Sequence, residues 1–260
     1  VPGTPLPSDD EIVGGLLQQG LDVAYQPIFD VATGDLVGWE ALLRGQLPEH
    51  GPLRPEHVIG SAMRTGSLDT VMRQVAEQAL ATATMASRRL GRSMTISLNM
   101  ECEQLTADSA FLRWLVDRSA TSPLQLLVEI SERGAAEAFC DEQERALDVL
   151  RDGGVGLGID DLGAGASRMR LLARGHWQWV KLDRGFLLTG ERGRVMLRHT
   201  VAMMHELGAT VVLEGIETPE QLEAARRLGV GLAQGNLLGV PIPAAELLAA
   251  LPDEAPLADH

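Results

Sequence analysis

The sequence predicts an α/β protein built as a modified TIM (β/α)8 barrel with one antiparallel strand near the N-terminus. Three observations carry that reading. Short, nearly all-apolar runs alternate with helical patterns, the mark of a mostly parallel sheet covered on both faces. A polar residue falls in or at the end of each of several predicted strands: Glu40, Asn99, Glu129, Asp160, Lys181, Glu214 and Gln234. From Asn99 onward their spacings are 30, 31, 21, 33 and 20 residues, the length of βα units. A barrel gathers its strand C-termini on one face, where active sites of this architecture lie. An open dinucleotide-binding sheet is disfavoured, because no Gly-x-Gly-x-x-Gly follows the first strand.

The elements follow in order. Residues 1–11, opening Val-Pro-Gly-Thr-Pro-Leu-Pro, read as a linker or the cut edge of a longer parent protein. Residues 23–31 and 36–43 flank Ala-Thr-Gly-Asp, a hairpin turn, and this hairpin supplies the antiparallel strand. Helical patterns cover 55–64 and 68–90, the second stopped by Gly91. Strands are expected at 94–99, 124–130, 155–160, 179–182, 210–214 and 231–234. Helices are expected near 110–120, over 137–151, 191–207 and 219–228, and from Pro243. The barrel domain thus spans 12–250, and 251–260 reads as an exposed tail.

Charge narrows the function. The chain has 36 acidic and 22 basic residues, a net charge of −14, which argues against duplex nucleic acid as a partner. Two cysteines are too few for a disulfide framework, which suits a reducing, cytoplasmic location. No apolar run reaches membrane-spanning length, so no membrane contact is expected from this segment. The histidines form no His-Glu-x-x-His, with His199 and His205 expected in packing or surface roles, and no Gly-x-Ser-x-Gly elbow occurs. Met203-Met204 reads as core, and Trp177 and Trp179 as alternating between an interface and the core.

The polar ring has a chemistry of its own. Carboxylates at buried strand ends are costly unless paired, protonated or bound to a cation. Glu40, Glu129, Asp160, Asp161 and Glu214, with the Asn99 amide oxygen, form an all-oxygen set suited to Mg2+ or Mn2+. Two ions could bridge at the adjacent Asp160 and Asp161, which the following glycines would let turn toward one site. Lys181 would neutralise the acidic group or hold a water for attack. Each residue also has an ordinary reading, such as a surface ion pair, turn chemistry, or Glu214 and Glu217 opening a helix at Thr218-Pro219. The conjunction at strand ends is what points to a site.

In their order, these motifs resemble the EAL-domain cyclic di-GMP phosphodiesterases over roughly residues 12–250. The resemblance rests on Tyr25-Gln-Pro-Ile28, Glu40-Ala-Leu-Leu-Arg44, Ser97-Leu-Asn99, Glu129-Ile-Ser-Glu132, Asp160-Asp-Leu-Gly-Ala-Gly165, Lys181-Leu-Asp183, Glu214-Gly-Ile-Glu217 and Gln234-Gly235. It implies hydrolysis of cyclic di-GMP to linear pGpG, dependent on Mg2+ or Mn2+ with two ions per active site. Glu40, Asn99, Glu129, Asp160 and Asp161 would be metal ligands. Lys181 would help hold the catalytic water, and Glu214 would be a general base or complete the metal shell. Arg44 would contact a ligand phosphate, with Gln26, Leu42, Glu217, Gln234 and Pro241 in the substrate pocket. Glu132 would hold the loop after the aspartate pair. A homodimer and regulatory domains in a longer chain are also implied.

The sequence departs from the family pattern at that loop. Where the family commonly reads DDFGTGYSS, this chain has Leu162, Ala164, Ala166 and Arg168 at the altered positions, losing both aromatics. Gly239-Val-Pro241 lacks an Arg common before that proline. The altered loop keeps a second class open, a cyclic di-GMP receptor with little or no catalysis that signals through a protein partner. A third is a scaffold without ligand binding.

Overall fold

The structure is a computed structural model and describes residues 7–19, 21–131, 139–162, 172, 175–183, 185–188 and 190–252. These pack as two compact units. The larger comprises Gln26–Glu40 and Ser93–Pro241; the other takes the chain up to Tyr25, Ala41–Arg92, and the chain from Ile242. Strands are β1 (Asp22–Asp30), β2 (Leu36–Leu47), β3 (Gly51–Leu53), β4 (Thr95–Met100), β5 (Gln125–Ser131), β6 (Gly156–Leu162), β7 (Trp179–Leu182), β8 (Thr210–Leu213), β9 (Leu232–Ala233) and β10 (Ile242–Pro243).

The larger unit holds the closed barrel. Its sheet runs β1-β9-β8-β7-β6-β5-β4-β2, and β2 pairs again with β1. Neighbours from β4 through β9 are parallel, whereas β1 is antiparallel to β9, with Phe29 opposite Ala233. This is the expected modified barrel. The β1–β2 turn closes as the sequence suggests: the Asp30 carboxylate accepts from the Ala32 and Thr33 amides at 2.8 Å, and Gly34 takes φ 77°.

The barrel interior starts as an apolar layer of Ile28, Leu127, Trp179, Val212 and Leu232, backed by Val37. Burying each such side chain contributes about 1.5–3 kcal/mol. Outside, alternate residues of the same strands (Leu126, Val128, Ile130, Val180, Val211) are buried too, which explains the continuous apolar runs. The outer helices are amphipathic; Ala110–Thr121 buries Phe111, Leu112 and Leu115 and is capped by the Ser109 hydroxyl. Trp177 and Trp179 are both core residues, so the expected interface role for one of them is not seen; Trp177 packs on Phe139 at 6.2 Å between ring centres. His199 and His205 are exposed on the helix Gly190–Glu206, and Met204 is buried in the core as read.

The smaller unit differs more from expectation. A helix at Asp9–Gln19 begins inside the stretch read as linker and buries Ile12, Val13 and Leu16. The Arg64 guanidinium donates to both Asp9 carboxylate oxygens at 2.7 Å. β2 extends to Leu47 and β3 pairs with it, Gly45 opposite Leu53; β10 pairs with β1, Tyr25 opposite Ile242. The long helix Leu68–Leu90 ends as predicted at Gly91, which takes φ 64°. Among the described residues no helix is long and apolar enough to cross a membrane.

Barrel closure depends on one small residue. A Cβ on Gly38 would fall 2.0 Å from the Thr95 carbonyl oxygen, so β2 and β4 approach too closely for any side chain there. Gly38→Ala should therefore lower stability by about 1–3 kcal/mol in urea titration, as overpacking does. Gly14→Ala, in open space within the helix Asp9–Gln19, should be neutral or gain about 0.5–1 kcal/mol. Equal effects would show that the contact does not govern packing.

Candidate active site

Above the apolar layer the interior turns polar, and on four of the parallel strands the change comes two residues further along. Leu127 gives way to Glu129, Trp179 to Lys181, Val212 to Glu214 and Leu232 to Gln234. In β1 the count runs backwards from Ile28 to Gln26, because that strand is antiparallel. Alternate strands feed alternate layers, as in TIM barrels. Strands β2, β5 and β7, with the residue just after β9, give a sealed layer of Glu40, Glu129, Lys181 and Gln234, exposed by 5%, 0%, 1% and 2%. The intervening strands β1, β4 and β6, with the residue just after β8, give a half-buried layer of Gln26, Asn99, Asp160 and Glu214.

Lys181 is the centre of this arrangement. Its ammonium lies 2.7 Å from Glu214, 2.9 Å from Glu129, 3.0 Å from Glu40 and 3.5 Å from Asp160. Glu40 is the best supported carboxylate: besides Lys181 it accepts from Asn99 Nδ2 and Gln234 Nε2, both at 2.8 Å. Burial pushes its carboxyl pKa up, but the Lys181 charge and these hydrogen bonds outweigh burial and hold it below the usual value. Glu129 lacks that help. Its Oε1 has no donor, and Oε2 meets Lys181 as an ion pair outside hydrogen-bonding angles. Burial, then the Glu40 and Asp160 charges, push Glu129 to about 8 against the pull of Lys181. Glu214 is pushed to about 7, by burial first and by Asp160 and Glu40 after it. Lys181 itself is held well above its usual value: its burial is overridden by Glu129, Glu40, Glu214 and Asp160.

Strand β6 is irregular where the aspartate pair lies. Ile159 faces Val180 and Leu162 faces Leu182, so β6 carries one residue more than β7 between those pairs. Asp160 and Asp161 occupy this β-bulge opposite Lys181, and the bulge interrupts strand alternation before any glycine is reached. The Asp161 side chain, Glu132 and the altered positions Ala164, Ala166 and Arg168 lie outside the described residues, whereas Leu162 is buried at the end of β6.

The donor set fits a divalent cation. Its oxygens are hard ligands, one carboxylate oxygen lacks any donor, and burial and neighbouring carboxylates push two carboxyl pKa values up to about 8 and about 7 despite Lys181. Among the described residues no three acidic, His or Cys side chains close on one point as a ready metal cage; they close on Lys181.

The remaining expected site residues are Gln26, Leu42, Arg44, Glu217 and Pro241. Gln26 joins the cluster, accepting from Gln234 Nε2 at 2.9 Å. Leu42 and Arg44 follow Glu40 at two-residue spacing on the part of β2 in the smaller unit, where Arg44 donates to the Leu43 carbonyl at 2.9 Å. Glu217 is exposed and Pro241 half-buried. The helix Pro219–Arg227 is opened by Thr218 and Gln221 in a capping box, with Gln221 also accepting from the Glu217 amide at 2.7 Å. The helix-opening signature is thus Thr218-Pro-Glu-Gln221, not the Glu214 and Glu217 of the ordinary alternative reading. The Gly239 carbonyl, which accepts from Gln26 Nε2 at 3.2 Å, was missed, since a backbone group leaves no residue signature.

Fold and site together define an α/β barrel of the TIM type with a lysine-centred acidic cluster at its strand C-termini. Residues 10–241 match the EAL domain model, and the chain belongs to the EAL-domain family. It is 32% identical over 243 residues to the cyclic di-GMP phosphodiesterase RocR of Pseudomonas aeruginosa, covering 92% of this chain and 62% of that protein. The bifunctional diguanylate cyclase/cyclic di-GMP phosphodiesterase MucR of the same organism is also 32% identical, the match covering 91% of this chain and 35% of MucR. The chain thus spans less than two thirds of these curated relatives. Among solved structures, the PaMucR phosphodiesterase–c-di-GMP complex has a TM-score of 0.73 at 30% identity, covering 91% of this chain and 98% of that one. An EAL domain protein from Listeria monocytogenes has 0.76 at 26%, covering 94% and 97%.

The raised carboxyls fix a pH dependence. Glu129 and Glu214 titrate at about 8 and about 7 in the fold, above an ordinary value of 4.5. Between those limits the folded state binds more protons than the unfolded chain, so stability is greatest at the acidic end and is lost as pH rises. Each group contributes a slope of about 1.4 kcal/mol per pH unit. The urea midpoint of metal-free protein should fall from pH 5.5 to 8.5, and Glu129→Gln should flatten the decline. A flat wild-type profile would contradict the assigned electrostatics.

Proposed function

We propose that this barrel is a phosphodiesterase that hydrolyses cyclic di-GMP to linear pGpG with a water activated by Mg2+ or Mn2+. The observation that carries the reading is the convergence of Glu40, Glu129, Asp160 and Glu214 on one buried lysine, with carboxylate capacity left over. Family membership and the named activities of RocR and MucR support it.

In this reading Glu40, Asn99, Glu129, Asp160 and Asp161 hold the metal, two ions per site. Bound divalent ions would supply water acidification and stabilisation of charge at the phosphodiester. Lys181 keeps the acidic layer assembled and orients the water through its ammonium. Glu214, half-exposed beside that ammonium, takes the water's proton. Leu42, Arg44, Glu217 and Pro241 contribute substrate contacts, with Arg44 on a phosphate, and Glu132 steadies the loop after the aspartates. The barrel domain of 12–250, a homodimer, flanking regulatory domains and a cytoplasmic setting belong to the same proposal. The partial coverage of RocR and MucR supports the flanking domains.

Purified protein incubated with cyclic di-GMP and Mn2+ or Mg2+ should release pGpG, followed by chromatography. Binding without turnover would replace this reading with the receptor; neither binding nor turnover would leave a scaffold. Glu40→Ala should lower metal-dependent turnover by at least about 100-fold while circular dichroism shows a folded barrel. Turnover within about threefold of wild type would remove Glu40 from the metal site.

A further inference from the structure

We propose that Gly235 is a positioning residue for Glu214: it lets the loop after β9 lock onto the loop after β8, and so sets where Glu214 stands against Lys181. The role of Glu214 as proton acceptor rests on the phosphodiesterase reading; the lock between the two loops does not.

Glu214 lies one residue beyond β8, where regular strand pairing has ended. Its amide still donates to the Leu182 carbonyl at 2.9 Å, after which the chain turns at Gly215, φ 65°. The neighbouring loop catches it there. β8 and β9 pair at Val212–Leu232 and Leu213–Ala233, and the bonding continues past the end of both strands. The Gln234 amide donates to the Leu213 carbonyl, the Ile216 amide to the Gln234 carbonyl and the Leu237 amide to the Ile216 carbonyl, each at 3.0 Å. Ile216 thus has its N–H and its C=O both held by the other loop, and its side chain is fully buried.

These bonds pass over Gly235. A Cβ there would fall 2.2 Å from the Ile216 nitrogen and 2.3 Å from the Ile216 oxygen, backbone atoms that cannot swing aside. Gly235 also takes φ 154°, a conformation that residues with a side chain rarely adopt. Any other residue at 235 must therefore displace Ile216. The loop after β9 is the firmer of the two: the Gln234 side chain is tied to Gln26 and Glu40, and the Leu238 and Gly239 amides close on the Gly235 carbonyl at 2.9 and 3.0 Å. Only Gly215 separates Ile216 from Glu214, so displacing Ile216 shifts Glu214 from its 2.7 Å contact with Lys181.

The test compares Gly235→Ala with Gly231→Ala, at the start of β9, where a Cβ would fall 2.7 Å from Thr210 Cγ2. Both should lower the urea midpoint, since both press β8 and β9 apart. Only Gly235→Ala should lower kcat for cyclic di-GMP, by about 100-fold, the effect of misplacing a reacting group by about 1 Å. Its calorimetric Mn2+ affinity should stay within about threefold of wild type, because Glu40 and Asn99 are left in place. Equal kcat in the two variants overturns the proposal. A loss of Mn2+ affinity of about tenfold or more would mean that Gly235 acts through Glu40, and overturns it too. Should Gly235→Ala not fold, Leu237→Pro removes the donor to Ile216 without a clash at 235 and should lower kcat about tenfold; unchanged kcat overturns the proposal. Metal-free wild-type protein gives a readout without turnover: the Ile216 and Leu237 amide protons should exchange as slowly as those of β8, and exchange typical of an open loop would overturn the lock. Absence of wild-type turnover would sink the phosphodiesterase reading and leave amide exchange to decide the lock.

Discussion

A single ammonium inside the barrel sets the terms for the rest of the site. Lys181 is 1% exposed and lies within 3.5 Å of four carboxylates drawn from strands β2, β5 and β6 and the end of β8. Without it, those groups would have to protonate or leave the interior. With it, Glu40 is held below its usual carboxyl value, whereas burial and the neighbouring carboxylates keep Glu129 and Glu214 above theirs. The cluster is self-supporting but electrostatically incomplete, and incompleteness of that sign is what a cation site requires.

The barrel makes this incompleteness affordable by confining it to two layers. Beneath them lies an apolar floor of Ile28, Leu127, Trp179, Val212 and Leu232, all buried. The strand register aligns the polar groups, with Asn99 directly opposite Glu129 and Ser131 opposite Asp160. The antiparallel β1 inserts Gln26 into the same tier from the opposite chain direction. Gly38 lets β2 close against β4, keeping Glu40 on a strand that packs at backbone distance from its neighbour.

Much of this was legible in the sequence, for physical reasons that differ by element. The strand-end residues were readable because each stands out as a polar group in an apolar run, and the β1–β2 hairpin because Asp30 and Gly34 carry the turn. The stop at Gly91 needed only glycine's access to positive φ. The helix Asp9–Gln19 was hidden by a proline-rich opening and two internal glycines, and its burial of Leu16 is a tertiary effect. The β6 bulge left no composition signal, since the glycines beside it offered a plausible alternative. Gln26 was readable as a pocket residue, but the direction of its amide depends on a backbone carbonyl more than two hundred residues away.

The extra residue in β6 has a consequence for heredity. Deleting one residue between Ile159 and Leu162 would restore an unbroken ladder with β7, a change that backbone pairing alone would favour. The repaired strand would keep only one residue of the aspartate pair opposite Lys181. Under the proposed function, drift toward a more regular barrel would be drift away from activity.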